Sequence, residues 1–312
     1  MTRTTELVLE PPVSDLQNIY GASGATRNAI RTTNGPDDGW YPAMSNTGLP
    51  EGFETLQDAT TRDSNGADAL MRSNVPGARE LTARIRPSWR HNDPHETTLA
   101  CARYRRVARI QFYEAVQQIF KPYPDADLRL VTPVSHEWFV PEGKLHRFPL
   151  QSRKDTFKTQ LHRAGVTSIP GPLVGAIHGD YDTTTGGYQV HLHILTTREK
   201  AEAIKRTLRS HPSFRSTEHI ARPIHELDVD DRGRAGLITY LLKPYWSMRN
   251  SYWSDKRKKW ERSWNDQTLR PQQLAEVLLW LDTLRLGDLI YTSGTELPRS
   301  LRNLGQETNE EF

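Results

Sequence analysis

One cysteine in 312 residues, Cys101, leaves no partner for an internal disulfide and no material for a cysteine-built zinc site. Nowhere does the chain hold an apolar run near the roughly 18 residues that a membrane-spanning helix needs. Its mean hydropathy of -0.70 suits a water-facing protein. The opening Met1-Thr2-Arg3-Thr4-Thr5-Glu6 has no apolar segment of the kind that directs secretion. These absences set the expectation of a cytoplasmic protein in reducing surroundings, with no membrane partner. No Gly-x-x-x-x-Gly-Lys-Ser/Thr loop occurs either, so any unwinding of a duplex would have to come from another protein.

Charge is nearly balanced overall, at +3, but unevenly spread. Residues 1 to 90 carry 9 basic and 11 acidic side chains, residues 264 to 312 carry 4 and 8, and the middle holds 28 and 19. A basic centre between acidic ends favours a polyanionic partner. Residues 1 to 92 are rich in Pro, Gly, Ser, Thr, Asn and Asp, as in Asn34-Gly35-Pro36-Asp37-Asp38-Gly39, and read as a mostly irregular, flexible N-terminal region with a weak case for a folded element around Glu54 to Leu70. From Glu96 to Phe120, Tyr104, Ala108, Phe112, Ala115, Val116 and Ile119 recur at three and four while Arg103, Arg105, Arg106 and Arg109 fill the other positions. That spacing describes an amphipathic helix with a basic side.

The chain is organised around Gly187 to Thr196, where His191 and His193 alternate with Val190, Leu192 and Ile194. On a pleated strand both imidazoles share one face and the aliphatic side chains take the other. Two neutral imidazoles so placed are half of a metal site. The preceding run Pro172 to Asp180 reads as a second strand, with Thr183-Thr184-Thr185-Gly186-Gly187 as the turn. An antiparallel hairpin centred between Thr184 and Thr185 sets His178 opposite His191, so that all three histidines face one way. If His178 is not the third ligand, Asp180 and Glu137 come next.

Further on, Arg234 to Trp246 reads as a helix stopped by Pro244. At about 100° per residue, Leu237, Ile238, Leu241, Leu242 and Tyr245 form one stripe, and Tyr240 and Lys243 lie about 60° apart on the other side. On the same reckoning Tyr245 lies about 140° round from Tyr240.

A His-hydrophobic-His strand followed by a helix bearing Tyr-x-x-Lys resembles the HUH endonuclease superfamily, and the order of the two motifs is similar to that of rolling-circle replication initiators with a single catalytic tyrosine. The resemblance spans about residues 125 to 246. It implies an α+β domain with a ferredoxin-like central antiparallel sheet. It implies a divalent metal ion, Mg2+ or Mn2+, held by His191, His193 and a third residue, often on the neighbouring strand, for which His178 is the candidate. It further implies Tyr240 as nucleophile, Lys243 beside it, a 5′-phosphotyrosine link, single-stranded or hairpin origin DNA as substrate, and a host helicase and polymerase as partners. Leu130-Val131-Thr132 is similar to the family's first motif, from which Pro133 departs. The residues themselves yield the order strand (Leu128 to Val134), helix (151 to 164), strand, strand, helix (Arg198 to Ser210), strand (Ala221 to Val229), which suits such a sheet.

After Trp246 the chain turns basic and aromatic, with Trp253, Lys256, Arg257, Lys258, Lys259 and Trp260 as candidate DNA-binding residues. Gln272 to Leu286 reads as a packing helix, and the acidic stretch beyond about Pro298 as a mobile tail. The expected division is residues 1 to 92, a nicking domain at 93 to 250, and a basic aromatic stretch, packing helix and tail at 251 to 312. The expected function is a plasmid- or phage-like replication initiator that nicks one strand. The alternatives are a single-tyrosine transposase of the same chemistry and a non-catalytic single-stranded DNA-binding module. A histidine-triad hydrolase is excluded, because Leu195 stands where that class needs its third alternate histidine.

Overall fold

A computed structural model describes residues 48–50, 52–86, 98–217, 219–220, 222–229, 233–262 and 267–305, without the side chains of Ser251, Lys259, Trp260 and Arg262. Most of the expected flexible N-terminal region and the end of the expected tail lie outside the described residues. Among the described residues the chain is a mixed α+β protein whose main sheet has eight strands, and no helix is long and apolar enough to cross a membrane.

The strands at the centre are β1 (Leu128–Pro133), β2 (Phe139–Pro141), β3 (Leu173–Asp182), β4 (Gly187–Thr197), β5 (Ile224–Asp228) and β6 (Ser247–Arg249). They run in the order β5-β1-β4-β3-β6, with β2 also on β4. The β3–β4 hairpin has the register inferred from its turn, with His178 opposite His191. All pairings among β5, β1, β4 and β3 are antiparallel, but β6 runs parallel to β3, so the sheet is mixed rather than wholly antiparallel. Pro133 pairs only with β5, beyond the point at Val131 where the β1–β4 ladder stops, so its missing N–H breaks no bond to β4.

The helices follow from capping and burial. They are α1 (Leu56–Arg72), α2 (Ala78–Ile85), α3 (Ala102–Phe120), α4 (Leu150–Arg163), α5 (Arg198–Arg209), α6 (Gly233–Leu241) and α7 (Pro271–Asp282). Helices α4 and α5 cover one face of the sheet through Phe157, Leu161, Ile204 and Leu208 packed with Val190, Leu192 and Ile194. Helices α3 and α6 cover the other, where Phe112, Val116, Leu237, Ile238 and Leu241 meet Leu128, Leu130, Val174, Ala176 and Leu195. On this second face each strand is apolar at one end and polar at the other: Leu130 gives way to Thr132, Ala176 to His178, and Leu195 to His193. A helix packed on the apolar half therefore ends over the polar half.

Three expectations are corrected. Within the region read as mostly irregular, α1 lies where a folded element around Glu54 to Leu70 was allowed for, and α2 follows it; a capping box of Thr55 and Asp58 starts α1, and Asp63 within it is fully buried. The basic side of α3 is not a solvated face, since Arg103, Arg106 and Arg109 are all buried. Asp63 binds Arg103 at 2.8 Å and accepts from the Ala102 amide at 2.5 Å, capping a helix whose own Cys101 supplies no side-chain cap. Beyond Pro298, in the stretch taken for a mobile tail, Arg299–Arg302 is a short helix with Leu301 buried in the core.

Candidate metal centre and its cleft

The polar half of the β3–β4 face holds the three histidines, all buried. Their ring centroids are 5.4 Å (His178–His191), 5.7 Å (His178–His193) and 4.8 Å (His191–His193) apart. One ligand nitrogen from each lies within 4.8 Å of the others, close enough to hold a metal ion. Each ring is oriented by an oxygen on its far side. His178 Nε2 donates to the Tyr245 carbonyl at 2.8 Å, and His191 Nδ1 donates to the Gln189 carbonyl at 3.0 Å. His193 Nδ1 is 2.9 Å from the Thr132 hydroxyl. A carbonyl can only accept, so in His178 and His191 the proton sits on the named nitrogen and the other carries a lone pair.

His178 Nδ1 and His193 Nε2 are buried with no hydrogen-bond partner. Such an orphan costs about 1–3 kcal/mol unless something accepts its lone pair, and a cation between the rings satisfies both. Burial, and after it the Lys243 charge, pushes His178 down to about 3; burial and then His191 hold His193 well below the usual range. Both are thus neutral ligands at neutral pH. The donor set fits a divalent transition ion better than Mg2+, which gives up water reluctantly and wants oxygen. Of the two ions expected, Mn2+ suits these residues.

The two reserve ligands lie outside the cluster. Asp180 is on the same face but accepts from Ser247 Oγ at 2.8 Å and pairs with Arg249 at 3.5 Å. Burial opposes its ionisation, and His191, His178 and Arg249 overcome that, leaving its carboxyl well below the ordinary value. Glu137 is held by Ser213 Oγ at 2.5 Å and Arg153 at 2.9 Å, away from the histidines.

Leu237, Ile238 and Leu241 bury one side of α6, which turns Tyr240 onto the cleft. Its ring centroid is 4.5 Å from that of His193, and Lys243 Nζ is 4.4 Å from the Tyr240 ring. The helix stops at Leu241, because the residue before a proline is driven out of the helical region, and Lys243 precedes Pro244. Leu242 to Trp246 is therefore an irregular strap leading to β6, and the angular argument that set Tyr245 on the core stripe does not apply to it. Tyr245 is 46% exposed and lines the same cleft as Tyr240.

No family model, curated protein or solved structure matches the chain.

The cleft encloses about 910 Å3 and gathers residues that no spacing in the sequence announced. Arg222 and His225 come from the β5 side and Arg249 from β6, while Phe53, Glu54, Arg62 and Arg109 come from the N-terminal part and α3. Arg109 belonged to the basic side of its helix and Arg249 to the stretch where the chain turns basic and aromatic, and His225 alternates with Leu227 on a strand that pairs with Thr132 and Leu130.

The basic aromatic stretch is a separate hairpin, β7 (Ser251–Ser254) and β8 (Lys259–Arg262), with Trp253 opposite Trp260. Lys256, Arg257 and Lys258 sit exposed in its turn, Arg257 paired with Glu261 at 2.8 Å and Lys258 with Asp255 at 3.7 Å. Trp253 is 47% exposed. The side chains of Lys259 and Trp260 lie outside the described residues. Of the set, the described side chains of Trp253, Lys256, Arg257 and Lys258 do not line the cleft, but the hairpin springs from its rim: Arg249 lines the cleft, and the next residue, Asn250, accepts from Thr183 Oγ1 at 2.8 Å.

Proposed function

We propose that the chain is a metal-assisted endonuclease that nicks and rejoins single-stranded DNA through Tyr240, the activity of a rolling-circle replication initiator. The observation that carries this reading is the meeting of a buried three-histidine cluster, two of whose members, His191 and His193, line the cleft, with a phenol whose ring centroid is 4.5 Å from that of His193 and an ammonium 4.4 Å from that phenol ring. The sheet order β5-β1-β4-β3, with α4 between β1 and β3 and α5 between β4 and β5, supports a ferredoxin-like nicking domain. The cations Arg222, Arg249 and Lys243 along the cleft suit a polyphosphate chain.

A divalent ion held by His178, His191 and His193 would supply Lewis-acid polarisation of a phosphodiester oxygen. Tyr240 gives its phenolic proton to water, and its oxygen forms a bond to phosphorus. The bond from phosphorus to the 3′-oxygen breaks, and that oxygen leaves as a free hydroxyl once protonated. Lys243 stabilises the phenolate and the charge that builds on the phosphoryl oxygens. The resulting 5′-phosphotyrosine keeps the bond energy for rejoining by the reverse step.

The test is incubation with Mn2+ and single-stranded oligonucleotides, followed by mass spectrometry. The expected product is a peptide spanning Tyr240 that bears the 5′-phosphate end of the DNA. An adduct on Tyr245 would move the nucleophile to the strap, and cleavage without any adduct would make water the nucleophile and end the reading.

A further inference from the structure

The Leu242–Trp246 strap is gripped at two points, Leu242 and Tyr245, through one carboxylate. Glu54 Oε1 accepts from Arg62 Nη1 at 2.8 Å, and its Oε2 accepts from Arg109 Nη1. Arg109 in turn donates through Nε to the Leu242 carbonyl at 2.6 Å. The Arg62 guanidinium lies 4.9 Å from the centre of the Tyr245 ring. The Tyr245 carbonyl is the oxygen that orients His178. Lys243 lies between the two gripped points, outside both the helix that ends at Leu241 and the strand that begins at Ser247.

We infer that Glu54 is a positioning residue: through Arg62 and Arg109 it fixes the strap that sets Lys243 over Tyr240 and His178 in the metal cluster. The N-terminal part of the chain is thereby a working wall of the cleft. The inference rests on the proposed function for its effect on nicking, but not for its effect on metal binding.

The chemistry needs a carboxylate. Two guanidinium groups brought together repel unless an anion lies between them, and Glu54 is 6% exposed and Arg109 5% exposed, so water screens them poorly. The Arg106 Nε donates to the Glu54 backbone carbonyl at 2.8 Å, adding a third cation whose field the carboxylate offsets. Glutamine offers one accepting oxygen in place of two and turns an NH2 toward the second arginine, so one end of the strap is released while the shape is kept. Aspartate keeps the charge but is a methylene too short to reach both.

The experiment uses the full chain. Co2+ affinity is read from its absorption without DNA, and nicking rate is read with Mn2+, in wild type, Glu54→Gln, Lys243→Ala and the double variant. Glu54→Gln is expected to weaken Co2+ binding about tenfold, as loss of a residue that orients a ligand does. With Lys243 no longer held over Tyr240, Lys243→Ala should then cost the double variant much less than it costs wild type. Wild-type Co2+ affinity together with fully additive rate losses, even with a lowered melting temperature, would overturn the inference. If Glu54→Gln does not fold, Arg62→Ala removes a side chain that is 31% exposed and must show the same loss of Co2+ affinity. If wild type fails to nick any DNA, the proposed function falls and the Co2+ measurements alone decide the role of Glu54.

Discussion

The Tyr240 ring and the His193 imidazole lie with centroids 4.5 Å apart and planes tilted by 56°. His193 is fixed from behind by Thr132, and Tyr240 by the burial of Leu237, Ile238 and Leu241 on the far side of its helix. Two elements distant in sequence thus deliver a phenol to a candidate metal ligand. Tyr240→Phe removes only the hydroxyl, so Co2+ uptake and DNA binding should match wild type while covalent adduct and nicking disappear. Retained nicking would relocate the nucleophile.

Lys243→Ala should behave differently, leaving slow cutting. A lost cation beside the developing charge lowers the rate by about a hundredfold without removing the attacking atom. Single-turnover nicking at saturating DNA measures this directly.

Removing the candidate metal ligands should separate binding from folding. His191→Ala or His193→Ala is expected to abolish Mn2+ uptake. Mn2+ should raise the melting temperature of wild type and not that of either variant, since only a ligand bound by the folded state stabilises it. His178→Ala should weaken Mn2+ binding; equal affinity would place the third ligand elsewhere.

Metal-free protein should lose stability in acid in a defined window. The folded value of His178 is pushed down to about 3 by burial and then by Lys243, against an ordinary value of 6.5. Between those values the unfolded chain binds the proton and the folded chain does not, so stability falls as pH drops through 6.5 toward 3. With chelator present, His178→Gln should show a shallower fall in melting temperature from pH 7 to pH 4.5 than wild type.

If the hairpin contacts DNA, neutralising Lys256, Arg257, Lys258 and Lys259 together should flatten the salt dependence of single-strand binding by about 0.7 per lost phosphate contact. Trp253→Ala should cost about 1–3 kcal/mol if a base stacks there. An unchanged salt slope would remove the hairpin from the interface.

The buried Asp63–Arg103 pair tests whether α1 belongs to the fold. Asp63→Ala takes the carboxylate away from a guanidinium that is 1% exposed and uncaps α3, and should destabilise the protein by about 3–5 kcal/mol. Chemical denaturation measures the loss.

The sequence by itself determined what depends on local period and turn chemistry. Alternation in β4 placed His191 and His193 on one face, the Thr183–Gly186 turn set His178 opposite His191, and Pro244 ended the tyrosine helix. These are properties of a short stretch of backbone, and they hold wherever the stretch is packed. Tertiary structure decided the rest. The arginines of α3 read only as the basic side of an amphipathic helix because their partners, Asp63 and Glu54, lie 40 and 55 residues away in a stretch whose composition looks irregular. Tyr245 read as core because helical periodicity was carried past the point where the backbone leaves the helix. The fate of a charge is set by what is brought against it, and only the packing of α1 on α3 brings Glu54 to Arg109, which bonds the strap beside the candidate metal centre.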